Sequence, residues 1–189
     1  MDTAPSTPID GPFAGNIIQT AFVVEDIHAA MAQMTAAIGV GPWFLRERGR
    51  FAVQTYRGQP SEMELAIAMG YAGDMQYELI QQLDEAPSVY RDVVRARGYG
   101  LHHFGVAFTD YARGCAHYRA QGFELVYEAE VANAARVGYF DTGARLPAMI
   151  EVIEFLPATQ AMFARFRAAA TGWDGADPVR MRPPLAPAA

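Results

Sequence analysis

The sequence predicts an α+β fold built from two copies of one strand–helix–strands unit, and three observations carry that expectation. The stretches "QTAFVVEDIHAAMAQMTAAIGVGPWF" and "HFGVAFTDYARGCAHYRAQGFELV" both run from an apolar strand through an aspartate into a helical apolar pattern. Gln19 stands seven residues before Asp26, and His103 stands seven before Asp110. Each helical run is followed by more strand-like segments, so both halves read strand, helix, then three or four strands. Self-similarity of this kind marks two copies of one unit that bury a shared face.

The elements follow in order. Residues 1–15, "MDTAPSTPIDGPFAG", are rich in Pro and Ala and are expected to form a loose tail. The first unit, 16–98, opens with a strand. Its helix has Asp26 at the N-cap and Gly39 at its end, where a left-handed residue is wanted. "PWFLRE", "FAVQTYR", "EMELAIAMGYA" and "MQYELIQQ" read as its strands, and "DEAPSVYRDVVRARG" adds a linking helix capped by Ser88. The second unit, 99–156, repeats this with a helix from Asp110 to Gly122. Its later strands are "FELVYEAEV", "RVGYFDT" and "PAMIEVIEF". Residues 157–189 give a last helix, "PATQAMFARFRAAATG", with Met162, Phe163 and Phe166 on one side. A loop docking Trp173 and a loose tail, "DPVRMRPPLAPAA", complete the chain.

Composition narrows the function. The chain has 189 residues, 51% apolar and 19% charged, which suits a globular protein and not a disordered one. A net charge of -6 without a long basic run argues against a nucleic-acid partner. No apolar run reaches the ~18 residues that span a bilayer, so no membrane role is expected. The N-terminus lacks the basic and apolar regions of a signal peptide, so a cytoplasmic location is expected. The single Cys115 excludes an intramolecular disulfide and a cysteine-built zinc site, and its helical setting suggests a buried thiol. All 15 basic residues are arginine, which removes lysine Schiff-base chemistry and a Walker A loop.

Four polar residues interrupt apolar strands at repeated places. Gln19 opens the first strand of unit one and Glu78 sits inside its last. His103 opens the first strand of unit two and Glu151 sits inside its last. A carboxylate buried without a partner costs several kcal/mol, so a cation is expected beside Glu78 and Glu151. Strand carboxylates more often decorate a surface, and Glu154 faces the opposite side from Glu151. The repetition of both positions weighs for a site. An amide oxygen, an imidazole and two carboxylates suit zinc, or a harder ion such as nickel, manganese or magnesium. Strand alternation sends His102 to the face opposite His103, and His28 and His117 read as surface or packing residues within helices.

On "QTAFVVEDIHAAM", "YELIQQ", "LHHFGVAFTD" and "MIEVIEF" the chain resembles the vicinal oxygen chelate superfamily. That superfamily includes glyoxalase I, methylmalonyl-CoA epimerase, extradiol dioxygenases and bleomycin-resistance proteins. The resemblance spans residues 16–156 and implies two βαβββ modules whose curled mixed sheets surround a metal-binding cleft. It implies Gln19, Glu78, His103 and Glu151 as ligands of a divalent metal. Zinc leads among the candidates, with nickel, manganese, magnesium or iron as alternatives. It further implies a lyase or isomerase acting through an enediolate or enolate, with Glu151 as base and Glu78 as second base or ligand. Gln19 stands where extradiol dioxygenases have a histidine, which counts against dioxygenase chemistry. Val23, Tyr99 and Gln82 replace two arginines and an asparagine that hold glutathione in glyoxalase I, so a glutathione-independent reaction is expected. A small hydrophobic or aromatic oxygenated substrate would then meet Trp43, Phe44, Tyr56, Tyr71, Tyr77, Tyr90 and Tyr139. The alternatives are an acyl-CoA epimerase and a non-catalytic protein that sequesters an aromatic compound. The resemblance also allows a homodimer.

Overall fold

Asp26 and Asp110 begin helices for the reason their positions suggest. Each lies in extended backbone, and its carboxylate accepts free amides of the first turn, Asp26 from His28 and Ala29, Asp110 from Arg113. The helices so started are α1 (Ile27–Ile38) and α3 (Tyr111–Ala120). Gly39 ends α1 at φ 70°, a left-handed backbone that suits a residue without a Cβ. Ser88 accepts the amide of Arg91 and starts α2 (Val89–Arg97). In α4 (Pro157–Ala170) proline takes the first position, where no helical N–H is needed. The computed structural model of the protein describes residues 15–51, 53–131 and 135–183. Apart from residue 15, the expected N-terminal tail lies outside the described residues, as does the chain from residue 184.

The strands are β1 (Asn16–Val23), β2 (Trp43–Gly49), β3 (Val53–Tyr56), β4 (Gln59–Pro60), β5 (Leu65–Ala72) and β6 (Met75–Gln82). Those of the second half are β7 (Gly100–Phe108), β8 (Glu124–Glu130), β9 (Arg136–Asp141), β10 (Met149–Glu154) and β11 (Val179–Met181). They form one curled, unclosed mixed sheet in the order β11-β2-β5-β6-β1-β7-β10-β9-β8-β3-β4. The repeat is visible in that order. Outward from the centre, β1-β6-β5-β2 on one side matches β7-β10-β9-β8 on the other, and β1 and β7 pair antiparallel across the seam. With α1 and α3 after their first strands, these are two βαβββ modules.

Two segments depart from the sequence reading. The β3–β4 hairpin leaves its own module and pairs with β8, Tyr56 opposite Tyr127, while the Tyr127 hydroxyl donates to Gln54 Oε1 at 3.0 Å. The C-terminal tail is not loose throughout, because β11 adds in parallel to the edge of β2, Val179 opposite Trp43. Both additions cover edges that would otherwise expose unpaired backbone.

Helices α1 and α3 cover one face of the sheet and the cleft occupies the other. Ile27 and Met31 of α1 pack on Trp43, Leu45 and Leu79. Tyr111, Tyr118 and the buried Cys115 of α3 pack on Phe140 and Val152. The opposite face carries a third cluster, including Ile80, Tyr90, Tyr139, Ile153 and Phe163, where α2 and α4 approach the two halves.

Candidate functional site

The seam between β1 and β7 is where the site begins. Its register skips Ile18 on β1 and His102 on β7, so each strand carries one bulged residue immediately before Gln19 or His103. Gln19 therefore lies opposite Gly105, and His103 opposite Ala21, each facing a small residue two positions beyond its counterpart. Gly105 is also opposite Glu151 on β10. A Cβ added there would come within 2.7 Å of Gln19 Oε1 and 2.8 Å of Ile153 Cδ1. The glycine is required for space, since it is the gap into which Gln19 projects.

Gln19, Glu78, His103 and Glu151 are all buried. His103 Nε2 lies 3.1 Å from Glu151 Oε2 and 3.5 Å from Glu78 Oε2, yet it makes no hydrogen bond. Gln19 Oε1 is likewise buried and without a partner. Its amide is fixed from behind, because Nε2 donates to Gln76 Oε1 at 2.9 Å and Gln76 Nε2 donates to the Tyr71 hydroxyl at 3.2 Å. Gln19 thus presents a bare acceptor, held by an amide relay that ends at Tyr71.

Burial sets the protonation of the site. It pushes the carboxyl of Glu78 well up, helped by the neighbouring charge of Glu151 and opposed by Arg182. It raises Glu151 too, partly offset by a hydrogen bond from Tyr139. It lowers the imidazole of His103, which is neutral at pH 7. Each group alone therefore favours its uncharged form, and a cation among them reverses that preference for the carboxylates.

The donor set fits such an ion in chemistry: a neutral imidazole nitrogen and an amide oxygen without partners, beside two carboxylates. Among the described residues no three His, Cys, Asp or Glu side chains are grouped so as to hold a metal by themselves. A cation here would take the amide oxygen of Gln19 as well.

The expectation that His102 faces away from His103 is overturned. Both rings are fully buried, and their Nδ1 atoms are 2.9 Å apart. The bulge is the cause, since it suspends the alternation that would separate neighbours. Two nitrogens form that contact only if one ring carries the proton. With it on His103 Nδ1, the Nε2 lone pair is left free toward the carboxylates.

Beside these groups lies a cavity of about 80 Å³, lined by Gln19, Glu78 and Glu151 and by apolar walls that include Ile67, Met69, Ile80, Val137, Ile153 and Phe163. Tyr90 and Tyr139 also line it, their hydroxyls 3.1 Å apart. The other aromatic residues expected around a substrate do not line it. Trp43 is on the α1 face and donates Nε1 to Thr35. Phe44 stacks on Phe166 at 3.9 Å, Tyr56 donates to Asp92 at 2.6 Å, and Tyr71 ends the amide relay. Tyr77 packs with the α1 cluster. Trp43 and Tyr77 lie on the α1 side of the pleat, whereas Phe44, Tyr56 and Tyr71 share the cleft side of their strands and are held by the partners just named. Sequence reasoning missed three groups: His102, and the cavity-lining Arg46 and Arg182.

Residues 18–139 match the family described as the glyoxalase/bleomycin resistance protein/dioxygenase superfamily. The match covers Gln19, Glu78 and His103 and stops before Glu151. Among solved structures, the chain is similar to a hypothetical protein from Bacillus halodurans, at 16% identity and a TM-score of 0.54, over 74% of this chain and 93% of that one. It is also similar to methylmalonyl-CoA epimerase from Mycobacterium tuberculosis, at 20% identity and a TM-score of 0.51, over 76% of this chain and 89% of that one. At these identities the likeness is one of fold. No curated protein matches the chain.

Proposed function

The chain belongs to the glyoxalase/bleomycin resistance protein/dioxygenase superfamily, and on that premise we propose that it is a metal-dependent lyase or isomerase. The substrate is a small, largely apolar oxygenated compound, and the reaction moves a proton on carbon without glutathione. One observation carries the proposal: two buried carboxylates, one from each module, line a cavity with an unpartnered amide oxygen, and the unpartnered imidazole nitrogen of His103 lies 3.1 and 3.5 Å from them.

Gln19, Glu78, His103 and Glu151 would hold the ion, with zinc as the leading candidate. When bound, a divalent cation supplies Lewis acidity that makes a C–H beside a carbonyl easier to ionise. Glu151 is the base that takes the proton. Burial raises its proton affinity and a bound cation would lower it again, which would leave it ionised and able to take the proton. Tyr139 orients Glu151 by hydrogen bonding, and Tyr90 lies against Tyr139. The apolar walls exclude water from the transferred proton.

The acyl-CoA epimerase reading is the alternative that a specific feature favours. Epimerisation needs a proton removed from one face of a carbon and returned to the other, and Glu78 and Glu151 enter the cavity from opposite modules. A binder that only sequesters an aromatic compound has no use for two buried carboxylates.

Zinc titration by calorimetry tests the proposal directly. One ion per chain is expected, with loss of binding in His103→Ala. Glu151→Gln is expected to slow solvent deuterium incorporation into substrate by about a hundredfold or more. No zinc, nickel, manganese or magnesium binding at any ratio would sink the reading. Incorporation at both stereochemical positions would select the epimerase.

A further inference from the structure

Two guanidiniums in the cavity have no part in the proton transfer. Arg46 reaches it from β2, and Arg182 reaches it from the residue after β11. The backbone places Arg182 firmly, its amide donating to the Leu45 carbonyl at 2.7 Å. Arg46 donates Nε to the Pro183 carbonyl at 3.3 Å and is 8% exposed. Arg182 has the thioether sulfurs of Met69 and Met162 beside its terminal nitrogens, at 3.6 and 3.4 Å, which are weak acceptors, and its guanidinium lies over the Phe166 ring, 5.5 Å from the centroid. Among the described residues neither arginine forms an ion pair.

Two desolvated like charges side by side are unfavourable unless an anion joins them. Burial lowers the guanidinium pKa of Arg182 to about 10; the charge of Arg46 adds to that and the charge of Glu78 opposes it. Of the cavity's own carboxylates, Glu78 acts on Arg182 through its charge but forms no ion pair with it. With Glu78 and Glu151 committed to a cation, as proposed above, the two guanidiniums are left without an anion of their own.

We infer that Arg46 and Arg182 bind a carboxylate of the substrate. The inference rests on the proposed proton-transfer reading for the rest of the site, and it names the substrate class as a small oxygenated acid. A carboxylate matches the planar fork of a guanidinium. Arg182 comes from beyond the residues that match the family and Arg46 from within them, so the C-terminal segment supplies one of the two guanidiniums.

The monohydroxamates of malonate, succinate and glutarate provide the test, each measured against its own methyl ester on zinc-loaded protein. The acid is expected to bind at least about tenfold tighter than the ester for one or more chain lengths. That preference should fall below about threefold in Arg182→Met and persist in part in Arg182→Lys, which keeps the charge but not the fork. Equal binding of acid and ester at all three lengths overturns the inference. So does an acid preference undiminished in both Arg182→Met and Arg46→Met, or failure of every probe to bind. Repeating the titrations after chelator treatment separates the two readings. Hydroxamate affinity that ignores the metal counts against the metal-dependent reading, while the acid preference still decides the role of the arginines.

Discussion

A histidine that meets its neighbour through Nδ1 controls which nitrogen that neighbour presents. His102→Phe keeps a ring in the same buried space and removes Nδ1. Zinc affinity is expected to fall about ten- to a hundredfold in this variant, with an unchanged circular dichroism spectrum, and unchanged affinity would show that His102 does not position His103. Gly105→Ala acts from the other side by crowding Gln19 Oε1 and Ile153. It should destabilise the chain by about 1–3 kcal/mol in urea unfolding and weaken zinc binding by displacing Gln19. These two residues also show where reading a sequence stops. Gln19 and His103 could be picked out because each stands seven residues before a helix-capping aspartate. The bulge at His102 is a mismatch between partner strands, and no local pattern in "YGLHHFGV" encodes it. Gly105 matters only because Gln19 and Glu151 both lie opposite it.

At the scale of elements, β9 and β10 are fastened by a charged clamp on the side away from the cleft. Glu154 Oε2 accepts from the Arg136 backbone amide at 3.0 Å and from Nε at 3.1 Å, while Oε1 accepts from Nη2 at 2.8 Å. The Arg136 hydrogen bonds hold the Glu154 carboxyl below its usual value. A lowered folded-state pKa stabilises above the unfolded value and loses that contribution as pH falls through the folded one. Glu154→Gln should therefore cost about 1 kcal/mol at pH 7, modest because half of Arg136 is in water. The difference from the parent chain should close by about pH 3 in urea unfolding; a gap that stays constant with pH would show that the clamp is not ionic. Helices and their caps could be read locally, because an Asp or Ser before an apolar run states its own role. The pairing of β3 with β8 and of β11 with β2 could not, since each joins segments far apart in the chain. "DPVRMRPPLAPAA" has the composition of a tail, and only the free edge of β2 turns three of its residues into a strand. With that strand the position of Arg182 was hidden as well.

At the scale of the whole molecule, the repeat organises the site as well as the fold. Gln19 and Glu78 come from one module, His103 and Glu151 from the other, and the seam between β1 and β7 brings the two pairs together within a single chain. A centre assembled this way has no association equilibrium behind it. Turnover per chain should stay constant on dilution from micromolar to nanomolar protein, and a fall in specific activity over that range would mean that a second copy completes the site. The same seam ties the lifetime of the centre to the folding of the chain. Were β1 to part from β7, Gln19 would leave His103 at the same moment, so amide hydrogen exchange along the seam should slow when zinc is bound. The joint between the halves thus acts as a latch, one that an ion bound there would keep shut.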